Sequence, residues 1–362
     1  MLDPGILATL VAYCRAGFES EAEADLRRVA ARIGESLDIP GTSSQGYAIA
    51  TAHRADRAAW HRAIAEARPV FLRSAFIGEG PFTIADADSK VRPDRVTPLM
   101  QAIHDTCTPP WRSVWIEYPD TNEGKALSTL ARALTARIEP TLRGSLHPSA
   151  PTRLRIFLLD GKTAYVGESD AGVADWPLGI PRLRMPPAAP SRSTLKLAEA
   201  FEVFLGEDSN DLLRPGMHAV DLGAAPGGWT WQLAQRGLRV TAVDNGPLKG
   251  SIRDDPLVRH VREDAFRFTP RRPVDWLVCD VVEQPIRIAD LVARWIGEGL
   301  AHRAIFNLKL PMKKRYDEVR RCEQHINDSL RHVPHSLALR QLYHDREEVT
   351  GYVSSEGPFP GN

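Results

Sequence analysis

Leu127, Leu130, Leu134 and Ile138 recur at intervals of three to four residues, the spacing of one helix face, and predict a helix from Glu123 to Ile138 that Pro140 should end. Ahead of it the apolar pattern predicts a strand over Ala8 to Tyr13. A helix should open at Ser20 as N-cap, with Glu21 and Glu23 in its first turn and Gly34 just past its end. A second helix over Ala55 to Ala67 and a strand over Val70 to Ile77 complete a β-α-α-β order, which suits a ferredoxin-like α+β region over residues 1–78. Residues 79–176 should add a helix near Pro98 to Cys107 and a strand over Ser113 to Tyr118 before the long helix. After it comes a hairpin whose arms, Arg153 to Leu159 and Thr163 to Gly167, flank the turn Asp160-Gly161-Lys162. No catalytic constellation is visible in this half, and His147 and its tryptophans read as structural.

Pro177, Pro181, Pro186, Pro187 and Pro190 then crowd a stretch that cannot be helical and reads as a semi-rigid linker over 177–190. In residues 191–362 strand and helix patterns alternate. A helix from Ser193 to Leu205 turns Leu195, Ala198, Phe201 and Phe204 inward, and further helices are expected over Ile286 to Glu298 and Lys313 to Leu330. Strands are expected near Met217 to Val220, Arg239 to Val243, Arg259 to Val261, Trp276 to Asp280, Ala304 to Lys309, Ala338 to Leu342 and Glu348 to Val353. The alternation predicts an α/β, Rossmann-like domain with a largely parallel sheet, an antiparallel last pair of strands, and its sites at the carboxyl ends of the strands.

One of those ends carries Asp221-Leu222-Gly223-Ala224-Ala225-Pro226-Gly227-Gly228-Trp229, and the following strand ends in Asp244. Glycines let a ligand approach the backbone, and a strand-end acid accepts hydrogen bonds from ribose hydroxyls. The spacing is Gly-x-x-x-Gly-Gly with an internal proline, not the dinucleotide Gly-x-Gly-x-x-Gly, and suits a nucleoside cofactor without a pyrophosphate: S-adenosylmethionine. Candidate cofactor contacts are Ser193, Gly223, Ala224, Pro226, Gly227, Gly228, Trp229, Asp244, Asp264 and Asp280. At Asp264 a plain surface acid is the competing reading.

Four charged residues stand where such a sheet would bring them together. Lys196 lies on the helix entering the domain, Asp280 and Lys309 close apolar runs, and Glu348 begins the last strand beside Glu347. A lysine beside a second lysine and desolvated by substrate is expected to have a depressed pKa, which the two carboxylates would offset enough for the cluster to assemble. Cys279, adjacent to Asp280 on an alternating strand, should point the other way into the core.

Composition changes this picture little. The 362 residues are 43% hydrophobic and 25% charged with a net charge of zero, and hold no apolar run near the roughly 20 residues of a membrane span. Cys14, Cys107, Cys279 and Cys322 form no Cys-x-x-Cys pair, which speaks against a zinc site or disulfide framework and for a reducing cytoplasm. Two basic stretches stand out, one with Arg182, Arg184, Arg192 and Lys196, the other with Lys309, Lys313, Lys314, Arg315, Arg320 and Arg321. Each reads either as a solvated face or as a nucleic-acid patch.

With these residues in view, the chain resembles the FtsJ-type ribose 2′-O-methyltransferases. Lys196, Asp280, Lys309 and Glu348 match that family's Lys-Asp-Lys-Glu tetrad. The stretches 221–229, 243–247, 306–316 and 340–350 carry the likeness. The resemblance implies an N-terminal THUMP-like RNA-binding region over 79–176, S-adenosylmethionine as cofactor, and methylation of a cytidine ribose in 23S ribosomal RNA or a large-subunit precursor. It further implies Lys309 as the group that orients and deprotonates the 2′-hydroxyl, and Arg182, Arg184, Lys313, Lys314 and Arg315 as phosphate contacts. No metal and no membrane are expected, and the protein is expected to be a cytoplasmic monomer. Glu348 is preferred to Glu347 because Val349 follows it, as in the family pattern. The tail Ser354 to Asn362 departs from the basic continuation expected there. Two other readings stand beside this one: a nicotinamide-dependent oxidoreductase, and an RNA-binding protein with a vestigial cofactor fold.

Overall fold

The computed structural model describes residues 8–41, 44–53, 56–85, 93–172 and 176–355. The expected helix start at Ala55 and tail residues 356–362 lie outside them. The chain divides into two units, Met1–Ile180 and Pro181–Asn362. Among the described residues no helix is long and apolar enough to cross a membrane.

The first unit runs β1 (Ala8–Tyr13), α1 (Glu19–Arg32), β2 (Leu37–Asp38), β3 (Tyr47–Ala52), α2 (Arg57–Ala67), β4 (Ser74–Thr83), α3 (Val96–Thr106), β5 (Val114–Glu117), α4 (Ser128–Thr141), β6 (Thr152–Leu158) and β7 (Thr163–Asp170). Its strands form one sheet in the order β2-β3-β1-β4-β7-β6-β5, in which only β5 and β6 pair in parallel. β4 continues across residue 78, so the regions drawn on either side of it share this sheet.

Several expectations need correction here. β2 and β3 were not expected. β3 inserts a strand between the first two helices, and its inward Ala48, Ala50 and Ala52 give it a weak apolar signal. α1 opens at Glu19, with Phe18 and not Ser20 at the N-cap position, because the Glu19 carboxylate accepts from the backbone N–H of Gly17, Gln45 and Gly46. β4 starts later than Val70, since Phe71 N–H is taken by Asp25 Oδ2 at 2.7 Å and holds that segment to α1. The long helix begins as a 3-10 turn over Gly124–Leu127, where Gly124 abuts the Pro119 backbone, and Pro140 lies inside α4 instead of ending it. In the interior, Arg155 donates to both Glu117 oxygens at 2.7 and 3.0 Å, and Tyr13 Oη donates to the same carboxylate.

The second unit runs α5 (Thr194–Leu205), α6 (Ser209–Leu212), β8 (His218–Leu222), α7 (Gly228–Ala234), β9 (Arg239–Val243), β10 (Val258–Val261), β11 (Val274–Cys279), α8 (Pro285–Gly297), β12 (Ala301–Lys309), α9 (Arg315–Ser329), β13 (Ser336–Arg340) and β14 (Glu348–Ser354). The sheet order is β10-β9-β8-β11-β12-β14-β13. The first five strands are parallel, and β14 runs antiparallel between β12 and β13.

One face of this sheet packs Trp276, Val278, Ile305 and Tyr352 against Leu197, Phe201 and Phe204 of α5. Side chains alternate along a strand, so two residues further toward the strand ends Asp280, Asn307 and Thr350 share that face, and Lys309 and Glu348 follow. The β12–β14 register sets Lys309 opposite Glu348, Asn307 opposite Thr350 and Ile305 opposite Tyr352.

On the other face Gly351 lies opposite Phe306, whose ring occupies the space a Cβ would need. Gly351→Ala is therefore expected to destabilise the second unit by about 1–3 kcal/mol through overpacking. Urea unfolding followed by tryptophan fluorescence measures this, and an unchanged midpoint would show that the strand pair has slack.

Candidate active site

The glycine loop is shaped by its neighbours. Gly223 and Ala224 donate to Val243 O at 3.0 and 3.3 Å. Asp244 accepts from Ala225 N at 3.0 Å and from Gly246 N at 2.7 Å, which binds the loop to the end of β9. Gly223 has φ +77°, and a Cβ there would stand 2.8 Å from Val281 Cγ2; Gly227, with φ +115°, opens α7. These are positions that only glycine fills without strain. α5 is fastened to the same turn. Thr194 Oγ1 donates to Gly228 O at 2.7 Å, Trp229 Nε1 donates to Ser193 O at 3.1 Å, and a Cβ on Gly228 would collide with the Ser191 and Ser193 hydroxyls.

Not every expected contact of the loop is presented alike. Ala225, Pro226 and Gly223 are half-buried, whereas Ala224, Gly228 and Trp229 are buried. The Trp229 ring packs into the core and its N–H is committed to Ser193. Asp264 is exposed and its carboxylate accepts from Phe266 N at 2.8 Å, closing a local turn.

The residues present fit a nucleoside cofactor with a cationic centre. Asp221, fully buried at the mouth of the loop, receives Thr230 Oγ1 on Oδ2 at 2.6 Å, while Oδ1 has no partner among the described residues. Burial, over the opposing Thr230 hydrogen bond, raises its pKa to about 7, with Asp280 and Asp244 adding to the rise. Asp221, Asp244 and Asp280 form a run of carboxylates along three adjacent strand ends, next to the glycine backbone.

The structure brings Lys196, Asp280, Lys309 and Glu348 together. Lys309 Nζ donates to Asp280 Oδ1 and Glu348 Oε2, and Lys196 Nζ donates to Glu348 Oε1 and lies 3.8 Å from Asp280 Oδ2. Asp280 N–H donates to Leu222 O at 3.3 Å, so the cluster adjoins the glycine loop. The expected depression of the lysine pKa is not found at Lys309. Burial pulls it down, but the Asp280 and Glu348 carboxylates outweigh that and raise it above its ordinary value. The same pairing holds the Glu348 carboxyl below its usual range against the effect of burial. Each anion pairs with both lysines.

The doublet Glu347-Glu348 is resolved by register. Glu348 faces the cluster, while Glu347 points outward and pairs with Arg315 at 3.0 Å. Arg315, expected at a phosphate, is engaged there; Lys313, Lys314, Arg182 and Arg184 are exposed. Arg182 sits over the Tyr343 ring at 5.2 Å. Cys279 is fully buried on the opposite face from Asp280, and burial pushes its thiol up to about 12.

Sequence reasoning missed Asn307, Thr350, Asp345 and Glu199. The first three form a buried polar layer beneath the charges. Glu199, one turn beyond Lys196, accepts from Tyr343 N, His344 N and His344 Nδ1 at 2.6–2.9 Å and ties α5 to the loop before β14. The signal for Asn307 and Thr350 was a two-residue step inward from Lys309 and Glu348.

Two family models match the chain: FtsJ-like methyltransferase over residues 189–333, and Ribosomal RNA large subunit methyltransferase M, N-terminal, over residues 94–170. A protein of Methylococcus capsulatus named Ribosomal RNA large subunit methyltransferase M is 47% identical over 358 residues, covering 96% of this chain and 98% of its own. A protein of the same name from Laribacter hongkongensis is 47% identical over 348 residues, covering 94% and 95%. Among solved structures, TrmN from Thermus thermophilus aligns over 96% of this chain and 98% of its own at 15% identity, with a TM-score of 0.36, too remote to place any residue. The family models and the two relatives named Ribosomal RNA large subunit methyltransferase M overturn the nicotinamide-dependent reading.

The raised pKa of Asp221 has a consequence for stability. Below about pH 4 folded and unfolded chains both carry the proton; between there and about 7 only the folded chain keeps it; above 7 the fold must bury a charge. Asp221 thus weakens the fold progressively as pH rises through that window. Asp221→Asn is expected to be more stable than the wild type at pH 8 by a few kcal/mol, with the difference shrinking toward pH 5. Urea unfolding of the cofactor-free protein at both pH values measures it, and an equal difference at the two would refute the assignment.

Proposed function

The chain belongs to the Ribosomal RNA large subunit methyltransferase M family, whose methyl donor is S-adenosylmethionine, and we propose that it methylates the ribose 2′-hydroxyl of a cytidine in 23S ribosomal RNA. The observation that supports this reading is the position of Lys309 Nζ between Asp280 and Glu348, with Lys196 alongside, at strand ends adjoining the glycine loop. Bound at the loop, the cofactor supplies a methyl group on a positively charged sulfur. Asp244 would hold its ribose hydroxyls, and Asp280 would face that positive charge.

In this reading Lys309 orients the substrate 2′-oxygen and takes its proton, and Asp280 and Glu348 fix the lysine head from below. Lys196 balances the second carboxylate charge. A ribose hydroxyl is a very weak acid, so alignment of the oxygen supplies much of the acceleration, with proton transfer contributing about 10²–10⁴-fold. Two other methyl-transfer chemistries fit less well. Asp280 is followed by Val281-Val282-Glu283, not by the prolines and aromatic residue of a base N-methylation loop. Cys279, the cysteine nearest the site, is buried on the far face and cannot serve as a nucleophile for pyrimidine carbon methylation.

Lys313, Lys314, Arg182 and Arg184 are the proposed phosphate contacts, and the N-terminal unit is the proposed RNA-binding module. The proposal places the protein in the cytoplasm as a monomer acting on 23S ribosomal RNA or a large-subunit precursor, with neither metal nor membrane.

Lys309→Ala is expected to lower methyl transfer about 10²–10⁴-fold while leaving RNA affinity within about twofold. Because the Lys309 pKa is raised, its neutral form is scarce at pH 7, and kcat should climb about tenfold per pH unit from neutrality upward. Transfer of tritiated methyl from S-adenosylmethionine to 23S ribosomal RNA, followed by nuclease digestion, reads both effects. Label recovered on a base, not in 2′-O-methylcytidine, would overturn the reading.

A further inference from the structure

Beneath the four charged residues lies a polar layer with no role in the scheme above. Asn307 precedes Lys309 by two residues on β12, and Thr350 follows Glu348 by two on β14, so the register that pairs the charges also pairs Asn307 with Thr350. Both are fully buried, as is Asp345 in the loop between β13 and β14. Asn307 Nδ2 reaches Asp280 Oδ1 at 3.0 Å and Glu348 Oε2 at 3.4 Å. Thr350 Oγ1 lies 2.8 Å from Asn307 Oδ1 and 2.9 and 3.1 Å from the two oxygens of Asp345, which also accepts from Leu342 N at 3.0 Å.

Counting hydrogens gives this chain a direction. Asp280 and Glu348, paired with lysines, only accept, so Asn307 must turn its amide NH₂ to them and its oxygen to Thr350. The Thr350 hydroxyl has one hydrogen, and Asn307 Oδ1 takes it. Asp345 must then bring a hydrogen of its own to bond Thr350. Burial first, and the nearby Glu348 charge second, push the Asp345 carboxyl well above the carboxylate range against the pull of the Leu342 amide, the direction that favours the protonated, donating form. Hydrogens therefore run from Asp345 to Thr350, from Thr350 to Asn307, and from Asn307 to both tetrad carboxylates.

We propose that Asp345, Thr350 and Asn307 form a one-way hydrogen-bond relay that positions Asp280 and Glu348 for methyl transfer. The inference rests on the proposed function. Asp280 Oδ1 and Glu348 Oε2, the two oxygens that Asn307 holds, are the same two that take Lys309 Nζ. A carboxylate gripped from beneath by a fixed amide cannot rotate, and its lysine is aimed accordingly. The amide also places partial positive charge between two anions that the fold brings close together.

The test uses near-isosteric variants of the full chain. Thr350→Val breaks the middle link and is expected to lower kcat about tenfold or more, with KM for S-adenosylmethionine and for RNA within about twofold. Thr350→Ser should restore kcat to within about twofold, since the hydroxyl is what matters and not the methyl. Asp345→Asn, whose amide donates as the neutral acid does, should retain kcat within about threefold. A folded Thr350→Val with wild-type kcat, or a Thr350→Ser as poor as Thr350→Val, overturns the relay. If Thr350→Val does not fold, loss of activity in Asp345→Asn overturns it instead. Wild-type protein that transfers no methyl group to RNA would instead bring down the proposed function. The relay is then judged by the Asp345 ¹³Cγ resonance, assigned by its loss in Asp345→Asn: a neutral carboxyl at pH 7 supports it and a carboxylate overturns it.

Discussion

The antiparallel insertion of β14 between β12 and β13 is the constraint on which the second unit depends. Five parallel strands alone would place Asp280 and Lys309 at neighbouring strand ends with nothing on the far side. By running the other way, β14 brings the start of its own strand to the end of β12, so that Glu348 arrives opposite Lys309. A shift of one residue would turn Glu348, Thr350 and Tyr352 together to the opposite face. The register is protected by packing: Tyr352 contacts Phe204 and Trp276, with ring centroids 5.9 and 6.1 Å apart, and Gly351 leaves room only for the Phe306 ring. The same aromatic layer that closes the core thus sets the alignment of the charges.

The electrostatics follow from that geometry. Two carboxylates and two ammonium groups in one place would be costly to bury singly, and each becomes tolerable because every charge touches an opposite one. The third buried acid nearby, Asp345, has no lysine in hydrogen-bond contact among the described residues, and burial pushes its carboxyl well above the carboxylate range. Asp221 lies between these cases, with one hydroxyl donor and a pKa raised to about 7. Glu348, Asp345 and Asp221, acids within a few strand ends of one another, are therefore shifted in different directions or degrees according to the partners that the sheet delivers to each.

Much of this was legible in the residues. Asp280 and Lys309 close apolar runs, and such residues lie at the rim of a parallel sheet; the glycine loop and Asp244 were readable from spacing alone. The Glu347-Glu348 doublet was not decidable from local pattern, because choosing between adjacent residues requires the cross-strand register, which is a long-range property. Asn307 and Thr350 were hidden for a related reason. Inside apolar strands, a single amide or hydroxyl looks like noise until the facing strand is known. The expected depression of the Lys309 pKa failed because the carboxylates were credited only with offsetting it, whereas Asp280 and Glu348, in direct contact with the ammonium, outweigh the burial. In the first unit, β3 escaped notice since alanines carry little hydrophobic contrast, and Ser20 lost the N-terminus of α1 to Glu19, whose partners at Gln45 and Gly46 lie far along the chain.

Burial across the site falls in steps from core to rim, and this gradient suits its chemistry. Asn307, Thr350 and Asp345 are wholly enclosed, the Glu348 side chain is 7% exposed, and the Lys196 and Lys309 side chains reach 16% and 23%. Asp280, 17% exposed, lies at the same level as the lysines but is held by Asn307, and in the proposed reading the lysine that meets the substrate lies at the tip of a flexible stem at the edge of solvent. A lysine whose own conformational freedom is large can be aimed only by what grips its end. The fold therefore invests its rigidity in the carboxylates that hold the Lys309 ammonium, and through them aims the group proposed to meet the substrate hydroxyl.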